Sequence, residues 1–128
     1  MIDVAIGLIR DEQERYCVSQ RHANAHLGAL WEFPGGKCMP NEPMLVALQR
    51  ELREELGIVV HQAQKAMMVP YDYSDRSVRL HVYTVTVYEG EPQSMEGQDV
   101  RFVSVPQLLQ LAMPAANHAI IMQCLMRP

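Results

Sequence analysis

Residues 36–58 read GKCMPNEPMLVALQRELREELGI, and this stretch decides the fold. Four leucines recur in it at helical spacing: Leu45, Leu48, Leu52 and Leu56. The spacing predicts a helix with one apolar stripe. Asn41 is predicted to cap its start, Pro43 suits its first turn, and Gly57 is placed to end it.

Three glutamates share one face of this helix, because Glu51, Glu54 and Glu55 stand at i, i+3 and i+4 spacing. This face lies beside the leucine stripe rather than opposite it, so it is partly sheltered. Carboxylate oxygens are the preferred ligands of Mg²⁺, which binds one or two carboxylates together with substrate phosphates. The face therefore predicts a Mg²⁺ site, although for REEL alone an exposed helix with solvated glutamates is the simpler interpretation. Arg50 lies one turn before Glu54 and can pair with it.

Composition limits the class of protein. The 128 residues suit one domain with one core, and a net charge of −4 provides no basic field for a nucleic acid polymer. The three cysteines lack metal-site spacing and predict reduced thiols in the cytoplasm. No apolar run is long enough to cross a membrane, and the N-terminus lacks the features of a signal peptide.

The rest of the chain alternates strands and short helices. Residues 2–9 and 15–20 predict a β-hairpin, and LWEFPGG predicts a short strand stopped by proline and glycine. Further elements are predicted as follows: strands at 64–72, 77–88 and 100–105, a short helix at 106–113 and a C-terminal helix at 118–126. The mixture predicts an α+β layered domain around a mixed sheet.

The fixed points of residues 36–58 resemble the Nudix box: a glycine, five residues, a glutamate, seven residues, then R-E-U-x-E-E-x-G-U with U aliphatic. Every specified position is matched, by Gly36, Glu42, Arg50, Glu51, Leu52, Glu54, Glu55, Gly57 and Ile58. The resemblance implies a Nudix fold, a mixed sheet sandwiched between helices (α/β/α), with residues 1–128 forming one domain. It also implies cleavage of a nucleoside diphosphate linked to another group, with Mg²⁺ or Mn²⁺ as cofactor. The metals would neutralise the pyrophosphate and activate the attacking water. Glu42 projects away from the acid face, so its predicted role is structural.

A longer resemblance, over almost the whole chain, is to MutT-type Nudix enzymes that remove oxidised guanine nucleotides. It is carried by QRHANAHLGALWEFPGGK, YSDR, EGEPQSMEGQ and MPAANHAI. The implied substrate is a nucleoside triphosphate, with 8-oxo-dGTP preferred, and the products are the monophosphate and pyrophosphate. No membrane, nucleic acid polymer or obligate protein partner is implied.

The resemblance also assigns roles to residues. The implied metal ligands are the Gly35 carbonyl, Glu51, Glu54, Glu55 and Glu96. The implied catalytic residues are Arg50, Glu51, Glu54 and Glu96, with the choice of general base left open. The implied substrate-binding residues are Arg21, His26, Phe33, Gly36, Lys37, Arg76 and Asn117.

Alternatives remain open for several of these residues and for the substrate. Asn117 precedes an apolar run and could be a helix cap, while its amide also matches a purine edge. The loop KCMPNE lacks an acid and a glycine that close relatives often carry. CTP or dCTP is an alternative substrate, and a non-catalytic nucleotide-binding module is an alternative class, which the intact box disfavours.

Overall fold

The computed structural model describes residues 1–20 and 29–126, in which strands and helices alternate along the chain. The strands are β1 (Ile2–Leu8), β2 (Tyr16–Gln20), β3 (Trp31–Glu32), β4 (Gly35–Lys37), β5 (Val59–Asp72), β6 (Ser77–Glu89) and β7 (Val100–Val103). The helices are α1 (Met44–Leu56), α2 (Val105–Leu108) and α3 (Ala115–Ile120), which continues as a π-helical turn (Ile121–Leu125). The predicted α+β class is confirmed.

The strands form two sheets. The larger has the order β4-β1-β6-β5, and it is mixed because β1 runs parallel to β6 while its other pairs are antiparallel. The smaller has the order β3-β2-β7 and is antiparallel. The predicted mixed sheet is confirmed, and the second sheet was not predicted.

The predicted β-hairpin between residues 2–9 and 15–20 is wrong as a two-stranded ladder. β1 and β2 belong to different sheets. The backbone contacts between these segments lie at their joined ends: a bridge between Arg10 and Tyr16, and hydrogen bonds from Cys17 N to Ile9 O and from Asp11 N to Arg15 O. The reason is that β1 is a central strand, with β4 on one edge and β6 on the other. No edge is left for β2 to pair with.

The start of α1 differs from the prediction, and its C-terminal end agrees with it. Pro43 occupies the capping position, and no side chain caps the helix. Asn41 lies earlier, with φ at 63°, a left-handed conformation that asparagine tolerates, so its predicted capping role is wrong. Gly57 ends the helix as predicted, with φ at 72° and its N–H bonded to Arg53 O at 3.0 Å.

The buried face of α1 is rotated away from the middle of the leucine stripe. Leu48, Leu52 and Leu56 are fully buried, but Leu45 is 41% exposed, so its predicted place in the core is wrong. Ala47 and Glu55 are buried instead. The sheet covers the helix on this side, and Leu45 lies outside that cover. The rotation carries one glutamate of the acid face into the interior.

Two apolar clusters lie on the two faces of the mixed sheet. Alternate residues of β1 point to opposite sides, so Ala5 packs with the leucines of α1 while Ile6 and Leu8 pack with α2 and α3. The sheet is therefore covered by helices on both faces, and the predicted α/β/α layering is confirmed. No helix in the described part of the chain has the length and apolar character to span a membrane. All three cysteines lie in that part, and no disulfide joins them.

Candidate active site

A cavity of about 340 Å³ opens between the mixed sheet, helix α1, which carries the box glutamates, and helix α3. Its floor is apolar, made by side chains of β1 and β6. It gathers nine of the predicted site residues from separate segments: Phe33, Gly35, Gly36, Lys37, Glu51, Glu55, Arg76, Glu96 and Asn117. Residues predicted from distant parts of the sequence therefore share one cavity.

Glu55 is the most enclosed carboxylate of this cavity, with 9% of its surface exposed. The Ser19 hydroxyl donates to its Oε1 at 2.9 Å, and the Gly35 N–H donates to its Oε2 at 3.2 Å. Burial raises the pKa of Glu55 to about 7, an effect that the two hydrogen bonds oppose and the nearby Glu32 and Glu96 carboxylates reinforce. A bound cation would relieve this concentration of negative charge.

Glu51 lies one turn earlier and is held from two sides. Arg50 Nη1 donates to its Oε1 at 2.9 Å. On the other side its carboxylate rests against Gly36, where a Cβ atom would overlap it. Burial raises the pKa of Glu51, Arg50 opposes the shift, and the Glu54 and Glu96 carboxylates add to it. Glycine at position 36 thus makes room for the carboxylate.

Arg50 is the centre of a charged network at the start of the box. Its Nε and Nη2 bind the two oxygens of Glu42 at 2.8 and 3.0 Å, and Nη2 also donates to Lys37 O at 3.0 Å. This two-point pairing lowers the pKa of Glu42 to about 2. Glu42 takes the structural position predicted for it. Its partnership with Arg50 was not predicted, because residues eight apart do not share a helical turn.

Glu54 lies outside the cavity that its two neighbours line. Its side chain is 53% exposed, and its nearest charged partner is Arg50, at 3.3 Å. The predicted pairing of Arg50 with Glu54 is present, although Glu42 and Glu51 are closer to the guanidinium. The three glutamates of the acid face thus occupy three environments: enclosed, half-buried and exposed.

The loop 90–99 brings Glu96 to the cavity. Two further residues, Ser19 in β2 and Gln98 in this loop, belong to the site although sequence patterns did not indicate them. Ser19 is 3% exposed and binds Glu55, and Gln98 lines the cavity and binds the Glu55 carbonyl at 2.9 Å. A lone serine in a strand and a glutamine in a polar loop carry no local signal of function, so only the tertiary contacts identify them.

Phe33 and Asn117 also line the cavity. Phe33 is 1% exposed, and its backbone N–H donates to Asn117 Oδ1 at 3.1 Å. Asn117 lies inside α3, so the alternative that it caps a helix is wrong. Arg76 lies in the turn between β5 and β6, 3.5 Å from Asp75. Arg21 and His26 lie outside the described residues.

The donor set suits a hard divalent cation. Glu51, Glu55 and Glu96 contribute carboxylates to one cavity, and oxygen ligands of this kind are those that Mg²⁺ and Mn²⁺ prefer. As the side chains stand, no three histidine, cysteine or acidic residues of the described ranges are close enough together to hold a metal ion.

Comparison with known proteins finds a family model, curated relatives and solved structures that match the chain. A family model described as NUDIX domain matches residues 5–123. The chain is 35% identical to the 8-oxo-dGTP diphosphatase of Escherichia coli K12, over 94% of this chain and 93% of that protein. It is 34% identical to the CTP pyrophosphohydrolase of the same organism, over 91% and 86%. A solved structure from a study of MutT from Aliivibrio salmonicida and Vibrio cholerae aligns with a TM-score of 0.82 and 30% identity, covering 95% of this chain and 94% of that one.

Proposed function

The chain belongs to the Nudix hydrolase family, and on this premise we propose that it converts 8-oxo-dGTP to its monophosphate and pyrophosphate. One observation carries the proposal. The box carboxylates Glu51 and Glu55 and the amide of Asn117 line the same cavity, with Phe33 beside the amide. Carboxylates that suit a metal-bound polyphosphate and an amide that suits a purine edge would therefore contact the same ligand. Removing this oxidised nucleotide from the cytoplasmic pool would prevent its incorporation into DNA.

Selectivity for the oxidised base would come from the amide of Asn117. Because Phe33 N–H can only donate, the side-chain atom facing it is the oxygen, and the amide orientation follows. One lone pair of Oδ1 and the NH₂ group then remain for the ligand. Guanine presents two acceptors, N7 and O6, on the edge that faces the major groove in DNA. Oxidation at C8 places a hydrogen on N7, so the edge offers a donor beside an acceptor and matches the amide.

The phosphate end would be served by the carboxylates and by a divalent cation, which Nudix hydrolases generally use. We propose Mg²⁺ or Mn²⁺, held by Glu51, Glu55, Glu96 and the Gly35 carbonyl, with Glu54 at the rim. Such a cation would supply positive charge to neutralise the phosphates and would lower the pKa of the attacking water. Arg50 keeps Glu51 in place through the 2.9 Å bond, and Lys37 and Arg76 add positive charge around the cavity.

The test is pyrophosphate release from 8-oxo-dGTP, dGTP and CTP in the presence of Mg²⁺. Wild type should prefer 8-oxo-dGTP, and Asn117→Asp should lose about tenfold or more of kcat/KM on that substrate, with less loss on dGTP. Aspartate keeps an acceptor for the Phe33 N–H and removes the NH₂ donor, and thermal unfolding checks that the variant remains folded with a carboxyl group at this buried position. An equal loss on every substrate would count against the assignment of Asn117. Asn41→Gly, in a turn outside the cavity, is the control.

CTP is the second candidate substrate, because a relative of nearly equal identity is named CTP pyrophosphohydrolase. Equal or better cleavage of CTP would leave the proposed reaction unchanged and make CTP the substrate instead of 8-oxo-dGTP. Failure to release pyrophosphate from any nucleotide, with Mg²⁺ or Mn²⁺ present, would instead support a non-catalytic nucleotide-binding module.

A further inference from the structure

The loop 90–99 is docked onto the C-terminal end of α1 by hydrogen bonds to carbonyls that a helix leaves without partners. Gln93 N donates to Leu56 O at 3.0 Å, and Met95 N donates to Glu55 O at 3.2 Å. The Glu55 carbonyl accepts a second bond, at 2.9 Å, from Gln98 Nε2. The residue that contributes a carboxylate to the cavity from helix α1 thus also anchors the loop through its backbone.

Gln98 connects this anchor to Glu96. Its Oε1 accepts from the Glu96 backbone N–H at 3.0 Å and from the Ser94 hydroxyl at 3.0 Å. Its Nε2 donates to the Glu55 carbonyl, so one amide group uses both its donor and its acceptor. The contacts define the amide orientation, because a backbone N–H can only donate and a carbonyl can only accept.

We propose that Gln98 is a positioning residue for the reaction, which holds Glu96 at the cavity by joining its N–H to the Glu55 carbonyl. The inference rests on the proposed function, in which Glu96 and Glu55 face the same cation. Glu96 lies on an exposed loop; the Met95 N–H ties the preceding residue to the Glu55 carbonyl, and the Gln98 amide holds the Glu96 N–H itself. Without Gln98 the bonds of Gln93 and Met95 would still anchor the loop, but the Glu96 N–H would lose its acceptor, and the loss of such a supporting contact lowers metal affinity.

The test uses four proteins stripped of metal: wild type, Gln98→Leu, Glu96→Gln and the double variant. Mn²⁺ binding is measured by electron paramagnetic resonance of the free ion. We expect Gln98→Leu to weaken Mn²⁺ binding about tenfold. The double variant should bind no more weakly than Glu96→Gln alone, since Gln98 acts through Glu96. Steady-state kinetics should show a matching fall in kcat with little change in the nucleotide KM.

A second readout needs neither metal nor substrate. The Glu96 amide should exchange its hydrogen about tenfold faster in Gln98→Leu than in wild type, because its acceptor is gone. Gln98→Met, which keeps the unbranched length, should show the same acceleration and serves if the leucine variant does not fold. Gln49→Leu is the matched control: Gln49 Nε2 makes the same kind of bond, to Val60 O at 3.0 Å, away from Glu96. It should leave Mn²⁺ binding and Glu96 exchange unchanged.

The outcomes separate the inference from the function on which it depends. If Glu96→Gln weakens Mn²⁺ binding while Gln98→Leu does not, the positioning role is overturned and the proposed function stands. The positioning role is also overturned if the two losses add in the double variant, or if Gln49→Leu matches Gln98→Leu. If Glu96→Gln changes neither binding nor turnover, both the role of Glu96 and that of Gln98 are overturned.

Discussion

Arg50 binds both carboxylate oxygens of Glu42, at 2.8 and 3.0 Å, although Glu42 lies before helix α1 and Arg50 at its midpoint. The same guanidinium holds Glu51 at 2.9 Å and the Lys37 carbonyl at 3.0 Å. Glu42 therefore contributes to the site through Arg50, whose orientation it sets. Glu42, which does not line the cavity, thus supports Glu51, which does, by holding Arg50 in place.

Replacing Glu42 should change how the protein responds to acid. Arg50 lowers the pKa of Glu42 from 4.5 to about 2, so the folded state binds fewer protons than the unfolded state between these values. The stabilisation is present above pH 4.5 and is lost as the pH falls towards 2. Glu42→Gln should unfold at lower urea concentration at pH 6 and lose less further stability on acidification. Glu12→Gln, at an exposed position, should follow wild type, and identical acid profiles for all three proteins would contradict the prediction.

Replacing Glu55 should stabilise the metal-free protein while removing activity. Burial raises the pKa of Glu55 from 4.5 to about 7, so its contribution is fully present below pH 4.5 and is lost as the pH rises through 7. A shift of this size corresponds to roughly 3 kcal/mol. In EDTA at pH 8, Glu55→Gln should therefore raise the free energy of unfolding by about 2 kcal/mol, because glutamine stays neutral, its oxygen can accept from the Gly35 N–H and its NH₂ can donate to the Ser19 hydroxyl oxygen.

The matched control is Glu54→Gln, since the Glu54 side chain is 53% exposed. This variant should change metal-free stability by less than about 0.5 kcal/mol. Urea denaturation of both variants between pH 4 and 8 checks the prediction. A Glu55→Gln protein no more stable than wild type at pH 8 would show that the buried carboxylate is not a strained group.

The rotation of the buried face of α1 predicts unequal effects for two leucines of one stripe. Leu52 is fully buried, so Leu52→Ala should lower the free energy of unfolding by about 2–5 kcal/mol. Leu45 is 41% exposed, so Leu45→Ala should change it by no more than about 0.5 kcal/mol. Chemical denaturation of the two variants measures the difference, and comparable losses would place Leu45 in the core after all.

Adding one methyl group at Gly36 should damage catalysis more than folding. A Cβ there would overlap the Glu51 carboxylate, which can move aside because it is the end of a flexible side chain. We expect Gly36→Ala to lose about tenfold or more in kcat while its melting temperature falls only a few degrees. Pyrophosphate release and thermal unfolding, measured on the same preparation, test this. A large fall in melting temperature with kcat unchanged would mean that the glycine serves the fold alone.

The sequence predicted the features that depend on near neighbours in the chain. Helical spacing predicted α1, Gly57 was predicted to end it, and the alternation of residues 77–88 predicted a long strand. It failed for Asn41, because a proline two residues later took the capping position. It failed for the β1–β2 hairpin, because pairing depends on which edges other strands already occupy, and β6 lies some seventy residues further along the chain.

What the sequence by itself determined is the box helix and its three carboxylates, since both follow from a repeat of 3.6 residues. What only the tertiary structure decided is how those carboxylates differ. The sheet packed on α1 encloses Glu55, Arg50 and Gly36 confine Glu51, and Glu54 is left at the surface. The hydrogen bond between Phe33 and Asn117, 84 residues apart, was likewise decided by the fold. Burial depends on the elements that pack against a residue, and helical periodicity carries no information about them.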